Sequence, residues 1–256
     1  MKKINEIRKE EFITLYNEGY NDYEIAKMMN LSDSTIFRWR REKGLSPNKS
    51  KFLSRNKEII PSREQLEILT GTLLGDSSLQ YYPQYGNTAP MFKCDHGKNQ
   101  YEYANLLYEK LQSLNSSFKT YKRKDKRTNK EYTSYIVTTT NNPYFHTMYN
   151  QLYSSGRKEI SSEFLSNFTI KSLAYLFMDD GYANQKTLFI STDCYSYESV
   201  LNLRNHIENN FNLKFSIVKH ENYYRLRLSQ YDLLRFKELL NPYIIESLKY
   251  KLNSVS

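Results

Sequence analysis

Over the first 45 residues the apolar positions recur with helical spacing, interrupted twice by turn chemistry. Residues 10–18 read as a helix ended by Gly19, since glycine takes the left-handed conformation after a helix at little cost. Asn21 and Glu24 form an Asn-x-x-Glu capping box for a second helix, with Ile25, Met28 and Met29 as its apolar side. A turn at Asn30 and Leu31 leads to Ser32, which caps a third helix running to Lys43, and Gly44 stops it. At about 100° per residue, Ile36 and Trp39 share one face of this helix, and Ser34, Arg38 and Arg41 lie opposite. A tight turn followed by a helix with a buried seam and a cationic outer face is a helix-turn-helix layout.

From residue 62 onward one pattern occurs twice. Ser62 and Gln65 cap a helix over 63–76, REQLEILTGTLLGD, and a second apolar helix covers 170–180, IKSLAYLFMDD. Each ends in an aspartate, Asp76 and Asp180. After the first come strands over 79–82 and 89–94, a helix over 100–114, strands over 118–124 and 132–139, and a helix over 143–153. After the second come strands near Tyr182 and over 187–192, a helix over 197–210, strands over 213–219 and 223–228, and a helix over 230–239. The order αββαββα, repeated, predicts an α+β fold of two mixed units, each an antiparallel sheet covered by helices on one face. Within 223–228, Tyr224, Leu226 and Leu228 alternate with Tyr223, Arg225 and Arg227. One face therefore packs and the other offers guanidinium and phenol groups.

Composition narrows the partners. The 256 residues carry 37 Lys plus Arg against 28 Asp plus Glu, a net charge of +9 that suits a polyanion. A 39% hydrophobic and 15% aromatic content is enough to bury a core, which excludes wholesale disorder. No apolar run reaches the ~18 residues a membrane span needs, and the N-terminal residues show no signal-peptide stretch. Cys94 and Cys194 form no CxxC and no zinc spacing with the four histidines. The expected location is a reducing cytoplasm, of a prokaryotic or phage-infected host, with an organelle left open. Lys49, Lys51, Arg55 and Lys57 mark residues 47–58 as a basic linker that tracks phosphates or simply tethers. Residues 119–130 hold Lys119, Lys122, Arg123, Lys124, Lys126, Arg127 and Lys130 against Asp125 alone. Expected DNA contacts are Ser34, Arg38, Arg41, Lys119, Lys122, Lys124, Arg225 and Arg227; solvated arginines and a solvated hairpin tip are the alternatives.

The duplicated aspartate is the chemical signal. A carboxylate at a helix C-terminus opposes the macrodipole, and two brought together repel. A divalent cation offsets both, with carboxylates and main-chain oxygens as hard ligands for Mg²⁺. Gly71, Gly75 and Ala174 are small enough to let the two helices approach closely.

These segments carry two resemblances. EIAKMMNLSDSTIFRWRREKGL resembles the helix-turn-helix of resolvases and small phage regulators, with a three-helix packing module as the alternative. LTGTLLGDS (69–77) and LAYLFMDDG (173–181) resemble the two motif copies of single-chain LAGLIDADG homing endonucleases. PYIIESLKYKL near the end is similar to the yeast intron-encoded branch, so the resemblance covers 62–253. It implies a pseudo-two-fold saddle whose sheets bind a long DNA site and whose motif helices form the central interface. It implies two or three Mg²⁺ ions shared by Asp76 and Asp180, with the carbonyls of Gly75 and Asp179 completing the sites. Active-site lysines would be Lys158, in GRKEI, and Lys251, in KYKL. Thr70, Thr72 and Ser77 depart from the motif in the first copy, and Tyr175 in the second, leaving the carboxylates intact.

The implied organisation is a helix-turn-helix module (1–46), a basic linker (47–61) and two LAGLIDADG units (62–161 and 162–256). The implied function is a site-specific homing endonuclease that makes a Mg²⁺-dependent double-strand break across the minor groove, acting as a monomer. Its partner would be double-stranded DNA, with its own intron RNA as a second partner and no membrane. The alternatives are an RNA-splicing maturase of the same fold and a non-cleaving DNA-binding regulator.

Overall fold

The computed structural model describes residues 2–48, 58–85, 87–184 and 186–253. Lys49, Lys51, Arg55 and Lys57 of the expected basic linker lie outside the described residues. The chain divides into two compact units, residues 1–57 with 83–88 and residues 58–82 with 89–256.

The first unit holds helices α1 (Lys2–Asn17), α2 (Asp22–Met29) and α3 (Asp33–Glu42). α1 begins well before residue 10, a correction to the sequence reading. Residues 2–9 contain no proline or glycine to break a helix, and Ile4 and Ile7 already stand three apart, at helical spacing. The capping box forms as the sequence predicts: Glu24 N donates to Asn21 Oδ1 at 2.8 Å, and Asn21 N to Glu24 Oε2 at 2.9 Å. Gly19 (φ +92°), Asn30 (φ +51°) and Gly44 (φ +66°) take the left-handed turns that end the three helices. Phe12, Ile25, Ala26, Met29, Ile36 and Trp39 make the core. Met28, expected on the apolar side of α2, is 51% exposed, and Ala26 is buried instead. Ile25, Ala26 and Met29 fall on one helical stripe, and Met28 lies beside it.

The second unit opens with α4 (Arg63–Leu74), β1 (Ser78–Gln80), β2 (Met91–Gly97), α5 (Tyr101–Lys110), β3 (Ser117–Lys124), β4 (Glu131–Thr138) and α6 (Phe145–Leu152). The short α7 (Ser162–Leu165) leads into the second copy. That copy comprises α8 (Ile170–Asp180), β5 (Gly181–Asn184), β6 (Thr187–Ser191), α9 (Tyr197–Phe211), β7 (Phe215–His220), β8 (Tyr223–Leu228) and α10 (Leu233–Leu240), followed by α11 (Tyr250–Asn253). The two antiparallel sheets share one order, β1-β2-β4-β3 and β5-β6-β8-β7. The repeated αββαββα expected from the sequence is therefore the observed α+β architecture.

Period-two alternation decides which side of each sheet packs. Phe92, Cys94, His96 and Val137 of the first sheet and Ile190, Leu226 and Leu228 of the second are buried. A single apolar core runs through both repeats, with α4 and α8 packed against each other at its centre. Their approach requires Gly71, where a Cβ would meet Ser172 O and lie 2.8 Å from Tyr175 Cβ. Ser172 Oγ uses the same proximity to donate to Glu67 O at 2.8 Å. Thr70 and Thr72, the first copy's departures from the motif, are buried and turn their hydroxyls back onto the helix, to Leu66 O (2.7 Å) and Ile68 O (2.9 Å).

The two motif helices end differently. α8 continues through Asp180, as its sequence predicts, but α4 stops at Leu74, two residues short of Asp76. Thr72 O accepts from both Gly75 N and Ser77 N at 3.0 Å, which closes the last turn. Gly75 then leaves helical geometry (φ −96°, ψ −131°). This difference accounts for the ninth motif residue. A Cβ on Gly181 would drive into Phe177, whereas the early exit at Gly75 leaves room for Ser77 in the first copy.

Candidate active site

The ends of α4 and α8 bring together the motif carboxylates. Asp76 N–H, released from the helix, donates to Asp179 Oδ2 at 3.2 Å. Asp76 is exposed, Asp180 half-buried and Asp179 buried. Burial, then the negative charges of Asp76 and Asp180, holds the Asp179 carboxyl well above the usual range. Burial and the charge of Asp76 push Asp180 up to about 7.

Both sequence-predicted lysines reach these tips. Lys158 Nζ donates to Gly75 O (3.1 Å) and Ser77 O (2.5 Å). Lys251 Nζ donates to Met178 O (2.6 Å) and Asp179 O (2.9 Å). Each ammonium thus grips the seventh-position carbonyl of one motif copy, and burial lowers the pKa of both. A lysine ammonium has three donors, so two backbone bonds leave one to point elsewhere.

A metal-capable cluster adds a residue that the sequence reading missed. Ligand atoms of Asp76, His96 and Asp179 all lie within 4.8 Å of one another. His96 is 1% exposed, and neither its ring nitrogens nor Asp179 Oδ1 forms a hydrogen bond. Buried polar atoms without partners are costly, and an ion is one of the few groups that resolves the cost. The donor set of two carboxylates and an imidazole therefore fits a divalent cation. The available signal was alternation: Phe92, Cys94 and His96 share the inward face of the strand that follows the motif.

The free faces of the sheets carry the basic groups. Strand register places Lys119, Tyr121 and Arg123 on the face of Ile136 and Ser134, away from the core. Lys122 and Lys124 share the other face with Phe118, and they line a groove with Lys98, Tyr101 and Tyr135. Arg123, stacked over Tyr132 at 5.7 Å, is thus the face-mate of Lys119, although the expected DNA contacts included Lys122 and Lys124 and not Arg123. On the second sheet Arg227 is exposed, whereas Arg225 is fixed by Asp193 (2.7 and 2.5 Å) and Tyr182 Oη (3.2 Å). In the first unit Ser34, Arg38 and Arg41 are all exposed on α3. Arg40 instead turns inward to Asp22 at 2.8 Å and to Leu45 O at 3.0 Å.

Duplicated acidic helix tips, each clasped by a lysine, beside two sheets with basic outer faces define a DNA endonuclease of the two-motif kind. Residues 66–236 match the LAGLIDADG DNA endonuclease family, and the chain belongs to it. Residues 3–49 match the homeodomain-like domain, in keeping with the helix-turn-helix layout. A probable intron-encoded endonuclease 1 of Wickerhamomyces canadensis is 28% identical over 82% of this chain and 93% of that protein. The homing endonuclease I-WcaI, solved bound to its DNA recognition sequence, superposes with a TM-score of 0.70. It is 27% identical, over 83% of this chain and 96% of that one. A cytochrome b mRNA maturase bI2 of Saccharomyces cerevisiae is 28% identical over 74% of this chain, which spans 47% of that protein.

Proposed function

We propose that this chain is a site-specific homing endonuclease that binds a long double-stranded DNA site as a monomer and cuts both strands across the minor groove with Mg²⁺. The carrying observation is the doubled carboxylate and lysine arrangement: Lys158 on the Gly75 carbonyl, Lys251 on the Asp179 carbonyl, beside Asp76 and Asp180. One chain supplies both copies, which supports action without a second subunit. A divalent cation held by the carboxylates would supply an activated water and offset charge at phosphorus and at the leaving oxygen. Asp76 and Asp180 would hold it, with the Gly75 and Asp179 carbonyls available as further hard ligands. Lys158 and Lys251, held rigidly by two carbonyls each, direct their remaining N–H toward negative charge that develops on phosphate. Lys119, Arg123 and Arg227 on the sheet faces, and Arg38 and Arg41 on α3, bind the backbone of the duplex. Similarity to a protein solved on its DNA recognition sequence supports this choice of polyanion.

The test is incubation with Mg²⁺ and DNA spanning the host gene's insertion junction, rejoined without the insert. Expected are a double-strand cut by the wild type, and lost cutting with retained binding for Asp76→Asn and Asp180→Asn. Cutting that survives in both variants overturns the assignment.

Maturase activity is a second reading, favoured by the relatives named cytochrome b mRNA maturase. Splicing of the host intron that persists in Asp76→Asn would establish it as a separate activity.

A further inference from the structure

The two repeats are not chemically equivalent around their aspartates. Strand register supplies the correspondence. Gly181, the ninth motif residue, pairs with Ile190, and extending the β1–β2 pairing by one residue sets Ser77 opposite Cys94. Cys94 and Ile190 also occupy the same place against the next strand, opposite Val137 and Leu226. Two residues on, His96 of the first copy corresponds to Thr192 of the second. Within the motifs, Asp179 corresponds to Gly75. The pseudo-symmetric counterpart of Asp76, His96 and Asp179 is therefore Asp180, Thr192 and Gly75. Thr192 spends its hydroxyl on Tyr224 O at 2.5 Å, and Gly75 has no side chain. Among the described residues, three ligand atoms gather within 4.8 Å around Asp76 and not around Asp180.

Burial makes that cluster more than a collection of acids. The His96 ring lies 4.8 Å from the Tyr103 ring, centroid to centroid, and is closed to solvent. The Gln100 side chain comes near the ring without a hydrogen bond of proper geometry. Packing alone would be served as well by an apolar side chain, which would strand no ring nitrogen. Imidazole suits borderline transition ions, and an all-oxygen set suits Mg²⁺.

We propose that His96 ligates, through a ring nitrogen, a divalent transition-metal ion held jointly with the carboxylates of Asp76 and Asp179, so that the first copy has a metal position of a different class from the second. The proposal rests on the nuclease reading for the use of that ion, but its test does not. Mn²⁺ added to the full chain in sub-stoichiometric amount is examined by pulsed electron paramagnetic resonance. The expected result is ¹⁴N modulation from one coordinated imidazole. It disappears in His96→Gln, persists in His220→Gln, and is accompanied by at least about a tenfold loss of Mn²⁺ affinity in His96→Gln. Mg²⁺ in large excess displaces this ion less readily from wild type than from His96→Gln.

Bound Mn²⁺ without ¹⁴N modulation in the wild type overturns the proposal, as does modulation that survives His96→Gln, or failure of Mn²⁺ to bind. The wild-type spectrum decides these points whether or not the variant folds. Cleavage without the nitrogen signal removes His96 and leaves the nuclease reading standing. A nitrogen signal in a chain that cuts no DNA does the reverse.

Discussion

The backbone N–H of Asp76 donates to the side chain of Asp179, so a carboxylate from the second motif braces the end of the first. The contact needs Gly75, because a Cβ there would lie 2.5 Å from Asp179 Cβ. Gly75→Ala is expected to cost about 1–3 kcal/mol by overpacking and to displace Asp76. Thermal unfolding and Mn²⁺ affinity should fall together; unchanged metal affinity would show that the brace does not position Asp76.

Helix contact at Gly71 is closer to backbone than to side chain, since a Cβ would meet Ser172 O. Relief must therefore come from moving α4 and α8 apart. Gly71→Ala should destabilise the second unit by at least about 2 kcal/mol. Denaturant unfolding followed by tyrosine signals measures it, and a loss under about 0.5 kcal/mol would contradict the close-packed interface.

Lys158 and Lys251 make backbone bonds of similar length at equivalent places. Lys158→Met and Lys251→Met should each lower the single-turnover cleavage rate by about 10²–10³-fold, with DNA affinity changed far less. A loss confined to affinity would make them anchors for the backbone instead.

The pH dependence follows from Asp180. Its carboxyl titrates near 7 in the fold against an ordinary value of 3.8, so between these pH values the folded chain keeps a proton that the unfolded chain has lost. Stability of the metal-free protein from this group is thus greatest at low pH and declines as pH rises through that window. Asp179, also raised, adds to the same trend. In chelator, Asp180→Asn should gain melting temperature over wild type progressively between about pH 4 and pH 7. A constant difference across that range would contradict it. Saturating divalent cation should flatten the wild-type decline, because it takes the place of the proton.

Trp39, the single tryptophan, sits in the core of the first unit and reports its unfolding separately. Arg40 is 7% exposed and depends on Asp22 for charge balance. Asp22→Ala should cost about 2 kcal/mol, between the values for exposed and fully buried pairs. Tryptophan fluorescence during denaturation reads the shift. Arg38→Ala and Arg41→Ala, which leave this pair intact, should each reduce the salt slope of DNA binding by about 0.9.

Much of this architecture is written in contiguous residues. Capping boxes at Asn21 and Ser62, the Ser32 cap at the start of α3, left-handed turns at Gly19 and Gly44, and alternation along β8 each depend on neighbours a few positions apart. Hydrogen-bond geometry and periodicity then suffice to read them. The duplicated Asp76 and Asp180 were legible because the pattern around them repeats. Packing decided the rest. Nothing local to YNDYE or FRWRR pairs Asp22 with Arg40, and a histidine on the inward face of β2 reads as core. Only when α4 and α8 close on Gly71 does the tip of the second motif bring Asp179 beside His96 and Asp76. Those groups are far apart in sequence, and what joins them is the volume of side chains at a helix interface, which no local pattern encodes.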